Sequence, residues 1–200
     1  MAESGWKEVK TKMWARIKEI EKLIPSYDYS EKHYMISTDE KMTDLVHDEL
    51  RKSKKILFNI IENSYEQQKE GLTTDLQKIR DDIDIFLDGV KIKHVKWPET
   101  IPEEFLEKIV IHDSELLREI PRLNSELEEI EKQLLVMEKP GTSLFDREQL
   151  DKLNARTLAI KNRVAELVRL FKERELLLNL KHVHREHEYE ELREGMETKF

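Results

Sequence analysis

The clearest candidate for a metal site lies near the C-terminus, where three histidines alternate with acidic residues between positions 182 and 191. On a helix, His184 and His187 share a face, and Glu188 follows His184 by one turn. Neutral imidazole and carboxylate groups are ligands for zinc, nickel or iron. Spacing alone is permissive, because an exposed, charge-rich helical tail would contain the same residues. A metal site at His184, His187 and Glu188 is therefore the third hypothesis for the function.

The sequence lacks the motifs of the common catalytic sites. It contains no cysteine, no Gly-x-Ser-x-Gly turn and no glycine-rich phosphate loop. A di-iron bundle would need Glu-x-x-His pairs on two helices. The chain has a single acidic residue three positions before a histidine, Asp44 before His47. The corresponding position before His112 is Ile109, which cannot bind a metal. We therefore expect a protein that is not an enzyme and that holds no cofactor.

Basic residues could bind nucleic acid if the fold gathered them on one surface. Lysines would contact phosphates and tryptophan would stack on bases. A formal net charge of −8 opposes such binding unless the positive charges converge. Nucleic-acid association is thus the second hypothesis, and its candidate residues are Arg51, Lys52, Lys54, Lys55, Lys91, Lys93, Lys96 and Trp97.

The N-terminal helix, predicted over residues 4–24, offers a third basic stretch. Residues 1–22 contain six basic and four acidic side chains together with Trp6 and Trp14. Such a helix could lie on an anionic membrane surface. Its apolar stripe from Trp6 through Met13 and Ile17 is narrow, however, and acidic residues interrupt the basic face. These features favour a partner helix over a lipid surface, so we expect no peripheral membrane contact.

The elements that would position these residues are helices with heptad spacing. In the second half, apolar residues follow one another at alternating steps of four and three, although Pro121 predicts either a helix start or a kink. The break at residues 139–141 separates this helix from a second one with the same pattern. Two such helices predict an antiparallel hairpin. The two patterns are Leu116, Ile120, Leu123, Leu127, Ile130, Leu134 and Met137, and Leu150, Leu153, Thr157, Ile160, Val164, Leu167 and Phe171.

The N-terminal half predicts further helices. A capping signal at Ser37 or Thr38, with Glu40 at the following turn, predicts a helix start near residue 39. The helical pattern continues to about residue 88, with Gly71 as a possible division into two helices. Residues 90–97 alternate briefly, so at most one short strand is expected near 90–95.

Composition agrees with this architecture. Charged residues make up 39% of the 200 residues, and glycine and proline number five each. This usage disfavours a turn-rich β fold and resembles proteins from hot environments. We predict an all-α fold, an elongated helical bundle or antiparallel coiled-coil hairpin of about four to five helices. Residues 1–89 and 102–200 would form two regions packed as one elongated domain. No signal peptide or membrane span is evident, which predicts a cytoplasmic protein.

Slender heptad stripes bury little surface each, so we expect the chain to associate with another protein or with itself. The last helix would extend past its hairpin partner and carry an apolar overhang that packs on the N-terminal helices or on a second copy. The leading hypothesis is a non-enzymatic coiled-coil scaffold, adaptor or assembly subunit that acts through helix–helix contacts. Its candidate partner-binding residues are Trp6, Met13, Ile17, Leu176, Leu177, Leu178 and Leu180.

Overall fold

The computed structural model describes residues 2–67, 69–90, 97–136 and 144–179. These residues form helices and connections without a β-strand, so the predicted all-α bundle is confirmed. The number of helices is six in the described residues, against the four to five predicted. The helices are α1 (Ala2–Lys12), α2 (Trp14–Glu21), α3 (Lys32–Glu66), α4 (Glu70–Val90), α5 (Glu103–Val136) and α6 (Leu144–Asn179).

Four long helices, α3 to α6, form the body of the bundle. Helices α3 and α4 are antiparallel, because Lys54 lies opposite Asp84 at 2.6 Å while Ser64 lies opposite Thr73 at 2.8 Å. Helix α3 also packs against α5, and α6 packs against both α5 and α4. Within the described residues α4 makes no contact with α5, so these two helices occupy opposite corners of the bundle.

Contacts between side chains fix the directions of the remaining pairs. Ser53 donates to Asn124 at 2.5 Å and Asn59 donates to Glu131 at 3.0 Å, so α3 and α5 run parallel. The predicted hairpin of α5 and α6 is antiparallel, as Arg163 lies opposite Glu126 while the later residue Arg174 lies opposite the earlier residue Asp113.

The predicted heptad patterns face the interior. In α5 every member from Leu116 to Leu134 is buried, and in α6 every member from Leu153 to Phe171 is buried. Leu150 is partly buried, and Met137 lies outside the described residues. Helix α5 runs through Pro121 without ending, so it neither begins nor stops at the proline. Each fully buried leucine contributes about 1.5–3 kcal/mol, which makes this interior the main source of stability.

The N-terminal helix is divided at Met13, whose backbone angles of φ −103° and ψ 20° leave the helical region. Hydrogen bonds from Met13 N to Val9 O and from Ile17 N to Met13 O carry the helical pattern across the division. Helices α1 and α2 both pack against α5, and Lys12 pairs with Glu103 and Glu107 at this contact.

Two predicted boundaries differ from the structure. Helix α3 begins at Lys32 rather than near residue 39, and Thr38 is a buried residue inside it. Its hydroxyl group accepts a hydrogen bond from Asp28 N at 3.0 Å and donates to Asp28 O at 2.9 Å, so it holds the connection before α3. Thr38 therefore does bind backbone groups, but these belong to Asp28 and not to the first turn of a helix that begins near residue 39. The predicted 39–88 stretch is divided into two helices, since α3 ends at Glu66 and α4 begins at Glu70. Gly71 lies in the first turn of α4.

Other predictions fall partly outside the described residues. Val90 ends α4 as a helical residue, and residues 91–96 of the predicted short strand are not described. No described helix is long and apolar enough to cross a membrane.

Candidate functional site

A fully buried arginine joins four parts of the chain. Arg174 of α6 has no exposed surface, and it lies among Asp39 of α3, Asp113 of α5 and two tyrosines, Tyr27 and Tyr29, from the connection between α2 and α3. These five residues are called the Arg174 centre below. Buried arginines are rare unless they are paired and hydrogen-bonded.

Each edge of the guanidinium group has an acceptor. The Nε atom donates to Asp113 Oδ1, and the Nη1 atom donates to Asp39 Oδ1 at 2.6 Å. The Nη1 atom also donates to Glu175 Oε1 at 3.0 Å, and the Nη2 atom donates to Tyr29 Oη at 3.1 Å. The planar fork of arginine suits such a set of acceptors, which lysine could not satisfy with one ammonium group.

Both tyrosines complete the coordination of Asp113. Its Oδ2 atom accepts hydrogen bonds from the hydroxyl groups of Tyr27 at 2.7 Å and Tyr29 at 3.1 Å. Burial raises the pKa of Tyr27 well above its ordinary value, and the nearby Asp113 charge raises it further. Burial likewise raises the pKa of Tyr29, although the Arg174 charge partly opposes the shift. Both phenols are therefore protonated donors at neutral pH.

The charge of Arg174 is stabilised by its acceptors. Burial by itself would lower the pKa of the guanidinium group. The negative charges of Asp113 and Asp39 outweigh burial and leave this pKa well above its ordinary value. The arginine is accordingly a permanent cation, which can neither accept nor release a proton in a catalytic cycle.

Aromatic rings cover the centre from the N-terminal side. Trp6 of α1 lies 6.1 Å from the Tyr27 ring and 5.8 Å from the Tyr29 ring, and the two tyrosines meet edge to face at 5.4 Å. The indole N–H of Trp6 is buried without a hydrogen-bond partner. The packing of the rings therefore holds Trp6 in place, and α1 is anchored through this contact to the connection before α3.

The Arg174 centre is suited to fixing helices relative to one another. Its tyrosine and arginine donors are directed at acceptors, and its members are buried. A buried ion pair contributes little net stability compared with apolar packing, but removing one member leaves an uncompensated charge. The centre thus favours a single register of α6 relative to α3 and α5.

A largely buried histidine beside the centre belongs to the same contact of α5 with α6. His112 Nε2 lies 3.7 Å from Glu173 Oε2, and the Nδ1 atom is buried without a partner. Burial lowers the pKa of His112, while the charges of Glu173, Glu115 and Asp113 partly counteract this shift and Arg169 adds to it. The imidazole is therefore neutral at pH 7.

The predicted metal site lies outside the described residues, since His184, His187 and Glu188 all follow residue 179. Among the residues that the structure does describe, no group of three histidine, aspartate or glutamate side chains could hold a metal ion.

The structure describes five of the eight members of the predicted nucleic-acid surface. Arg51, Lys52, Lys54 and Lys55 are exposed along α3, but Lys54 pairs with Asp84 at 2.6 Å and Lys52 pairs with Glu49. Trp97 is partly buried and packs against the core. The other predicted members, Lys91, Lys93 and Lys96, lie outside the described residues.

Most of the predicted partner-binding residues belong to the interior of the chain. Trp6, Ile17, Leu177 and Leu178 are buried, so a partner could reach them only if a helix moved away. In the described part of the overhang, Leu177 and Leu178 therefore pack within their own chain. Of the other three, Met13 and Leu176 are partly buried, and Leu180 lies outside the described residues.

Exposed apolar side chains lie on other faces of the same helices. Trp14 of α2 is 61% exposed and Ile85 of α4 is 66% exposed, and Leu135 and Leu158 also face solvent. Trp14 was named only as part of the basic N-terminal stretch, and the other three were missed because the interpretation followed the residues inside the heptad pattern. Their signal was present as large apolar residues that fall outside that pattern.

A shallow groove of about 400 Å³ opens between α5 and α6 near the turn of the hairpin. Val136 and Leu153 line it together with charged and amide side chains, and two of these, Lys152 and Glu148, form an exposed ion pair at 2.7 Å. It lacks the buried, converging polar groups that fix a small-molecule ligand.

Comparison with known proteins supplies no further assignment: no protein-family model, curated protein or solved structure matches the chain.

Proposed function

We propose that the chain is a non-enzymatic helical scaffold or adaptor that binds protein partners through the outer faces of α2 and α4. One observation carries this proposal, namely the exposure of Trp14 and Ile85 on helices whose inner faces are already filled by the core. Tryptophan at an accessible position is a frequent centre of protein interfaces. Two large apolar side chains that face solvent have no role in holding this bundle together.

The internal chemistry of the bundle supports the same proposal. Its most elaborate polar cluster, the Arg174 centre, is closed to ligands and joins α3, α5 and α6. A bundle held in one register presents its outer faces in a fixed relative position, which reduces the ordering cost of binding. Such rigidity is what a scaffold requires, since partners must meet it at defined positions.

The proposal places the protein in the cytoplasm, because the chain contains no cysteine and thus none of the disulfides that stabilise small secreted domains. The exposed lysines of α3 support nucleic-acid binding less well, since Lys52 and Lys54 are already paired with carboxylates.

The test is affinity capture from an extract of the source organism with variants that differ at one exposed position. Trp14→Glu and Ile85→Glu place a charge on the proposed binding faces, whereas Leu158→Glu changes a side chain of similar exposure on α6. We expect the wild type and Leu158→Glu to retain the same proteins, and at least one of the other variants to lose them. Circular dichroism melts establish that all four proteins are folded. Equal capture by all of them would contradict the proposal.

A further inference from the structure

Basic side chains and Trp14 form one continuous exposed stripe on α1 and α2. Lys7, Thr11, Trp14, Lys18 and Lys22 are all exposed and follow one another at steps of four, three, four and four residues. Because the backbone hydrogen bonds continue across Met13, this spacing places the five residues on the side opposite the buried stripe. They are called the Trp14 face.

The Trp14 face is positively charged along its length. Lys7 and Lys22 make no ion pair with a described side chain, and Lys18 pairs with Glu21 at 2.5 Å at the edge of the face. Glu8 and Glu19 lie on its other edge. An indole ring between lysines is therefore presented to solvent by a chain whose overall charge is negative.

An acidic counterpart surrounds Ile85 on the outer side of α4. Asp81 and Asp82 precede Ile85 by one turn, and Asp88 follows it by three residues. Asp81, Ile85 and Asp88 are exposed, and Asp82 is partly exposed. Asp81 contacts the neighbouring Arg80 at 2.9 Å. Lys78 is exposed two turns before Ile85 on the same side of α4 and pairs with Asp75 at 3.1 Å, so aspartates outnumber the single lysine on this side. Asp81, Asp82, Ile85 and Asp88 are called the Ile85 face, and the helix that carries them has six acidic and two basic residues.

The two faces lie on different sides of the molecule. Helices α1 and α2 pack against α5, while α4 occupies the corner diagonal to α5 and contacts α3 and α6. The Trp14 face and the Ile85 face of one chain therefore cannot touch each other. Each of them combines one large exposed apolar side chain with charges of a single predominant sign.

We propose that the Trp14 face of one copy binds the Ile85 face of a second copy. This inference rests on the proposed function and names the partner as another molecule of the same chain. Charge complementarity selects this occupant: the lysines meet aspartates, and Trp14 and Ile85 cover each other from water. Anionic lipid or nucleic acid would meet the same lysines, but the net charge of −8 repels a phosphate-rich surface.

The geometry determines the form of the assembly. A twofold dimer would require the two faces to lie side by side, so that each copy contributed both at one contact. Because the two faces lie on different sides, the contact is heterologous, and a bound pair of copies still has one unoccupied face at each of its two ends. The chain therefore assembles head to tail into open chains or closed rings, as an assembly subunit would.

The test is sedimentation velocity of the full chain over a wide concentration range. The variant Lys7→Glu with Lys18→Glu reverses the Trp14 face, and the variant Asp81→Lys with Asp88→Lys reverses the Ile85 face. We expect the wild type to sediment faster as concentration rises, and each variant alone to associate about tenfold more weakly. The control Lys161→Glu with Lys172→Glu alters net charge as the first variant does, on exposed positions of α6, and it should associate like the wild type at equal ionic strength.

Mixing provides the decisive measurement. In a mixture of the two variants, the reversed Trp14 face of one is acidic and the reversed Ile85 face of the other is basic, so these two faces attract each other. The two faces that were not reversed are also complementary to each other. The mixture should therefore associate more strongly than either variant does alone. A chain that stays monomeric at every concentration would overturn the inference, as would association that is unchanged by the reversals.

Binding to vesicles that contain phosphatidylserine distinguishes an anionic lipid surface from a second copy as the partner of the Trp14 face. Monomeric protein that binds these vesicles, and loses binding in Lys7→Glu with Lys18→Glu, would overturn the second-copy assignment in favour of lipid. Failure of self-association also differs from failure of the proposed function. If the chain does not self-associate, other proteins captured through Trp14 or Ile85 would still support the proposed scaffold, and a second copy would be excluded as its partner.

Discussion

Replacing Arg174 with methionine would leave two buried carboxylates without their cation. Methionine preserves much of the unbranched side-chain volume, so packing changes little while the charge is lost. Asp113 has no exposed surface, and Asp39 is almost completely buried. Removing one member of a buried ion pair typically costs about 3–5 kcal/mol. That cost is a large fraction of the total stability of an ordinary domain, about 5–15 kcal/mol.

Chemical denaturation followed by circular dichroism measures this cost. The matched control is Arg169→Met on the same helix, since Arg169 pairs with Glu166 at 2.5 Å but its side chain is 42% exposed. A partly exposed pair of this kind is worth about 0–1 kcal/mol. We therefore expect Arg174→Met to lower the free energy of unfolding by several times as much as Arg169→Met.

A double-mutant cycle with Asp113→Asn tests the proposed cause. If the cost arises from the orphaned carboxylate, Arg174→Met combined with Asp113→Asn should lose at least about 1 kcal/mol less than the sum of the single variants. Additive losses, or a loss for Arg174→Met no greater than for Arg169→Met, would refute the account of the Arg174 centre as a set of mutually dependent buried charges.

Three further predictions concern burial and protonation. Because burial lowers the pKa of His112, the folded state binds fewer protons than the unfolded state, and stability should fall as pH drops below about 6.5. In thermal melts from pH 5 to 7.5, the melting temperature of His112→Gln should depend less on pH than that of the wild type. An unchanged pH profile in the variant would contradict this prediction. Because the pKa values of Tyr27 and Tyr29 are raised, their stabilising effect is complete below about pH 10 and is lost above it. Absorbance titration at high pH should show these two phenols ionising only as the chain unfolds. Ionisation of all tyrosines before unfolding would argue against the Arg174 centre. In α5, Leu127→Ala should cost about 3 kcal/mol while the exposed Leu135→Ala costs under about 0.5 kcal/mol in denaturant melts, so equal losses would disprove the assigned core face.

Local spacing was sufficient to predict the helices and their buried sides. Residues such as Leu116 and Leu127 recur with the period of a helix, and burying them in a neighbouring helix is the dominant favourable term. The predicted hairpin of α5 and α6 followed from two such patterns separated by a short break. The start of α3 was misplaced because Ser37 and Thr38 can form hydrogen bonds with several backbone groups, and spacing does not specify which ones.

The sequence-based expectations about function were less specific than those about the fold. Trp6 and Ile17 were correctly placed on one helical face, but that face contacts α5 and the aromatic connection instead of a second protein. Periodicity identifies which side of a helix must be buried and does not identify what buries it. Trp14 and Ile85 do face solvent. Trp14 was considered only as part of a possible membrane-binding stretch, and Ile85 was not considered because it lies outside the heptad pattern.

The amino-acid sequence by itself determined an all-α bundle, its heptad core faces and the absence of common catalytic motifs, since these depend on residue type and on spacing within one helix. Only the tertiary structure decided that Arg174 is buried, because its acceptors Asp39 and Asp113 lie 135 and 61 positions away in the chain. It also decided that the basic and acidic outer faces lie on different sides of the molecule. Contacts between distant segments depend on how helices pack against one another, and the period of a single helix carries no record of that arrangement.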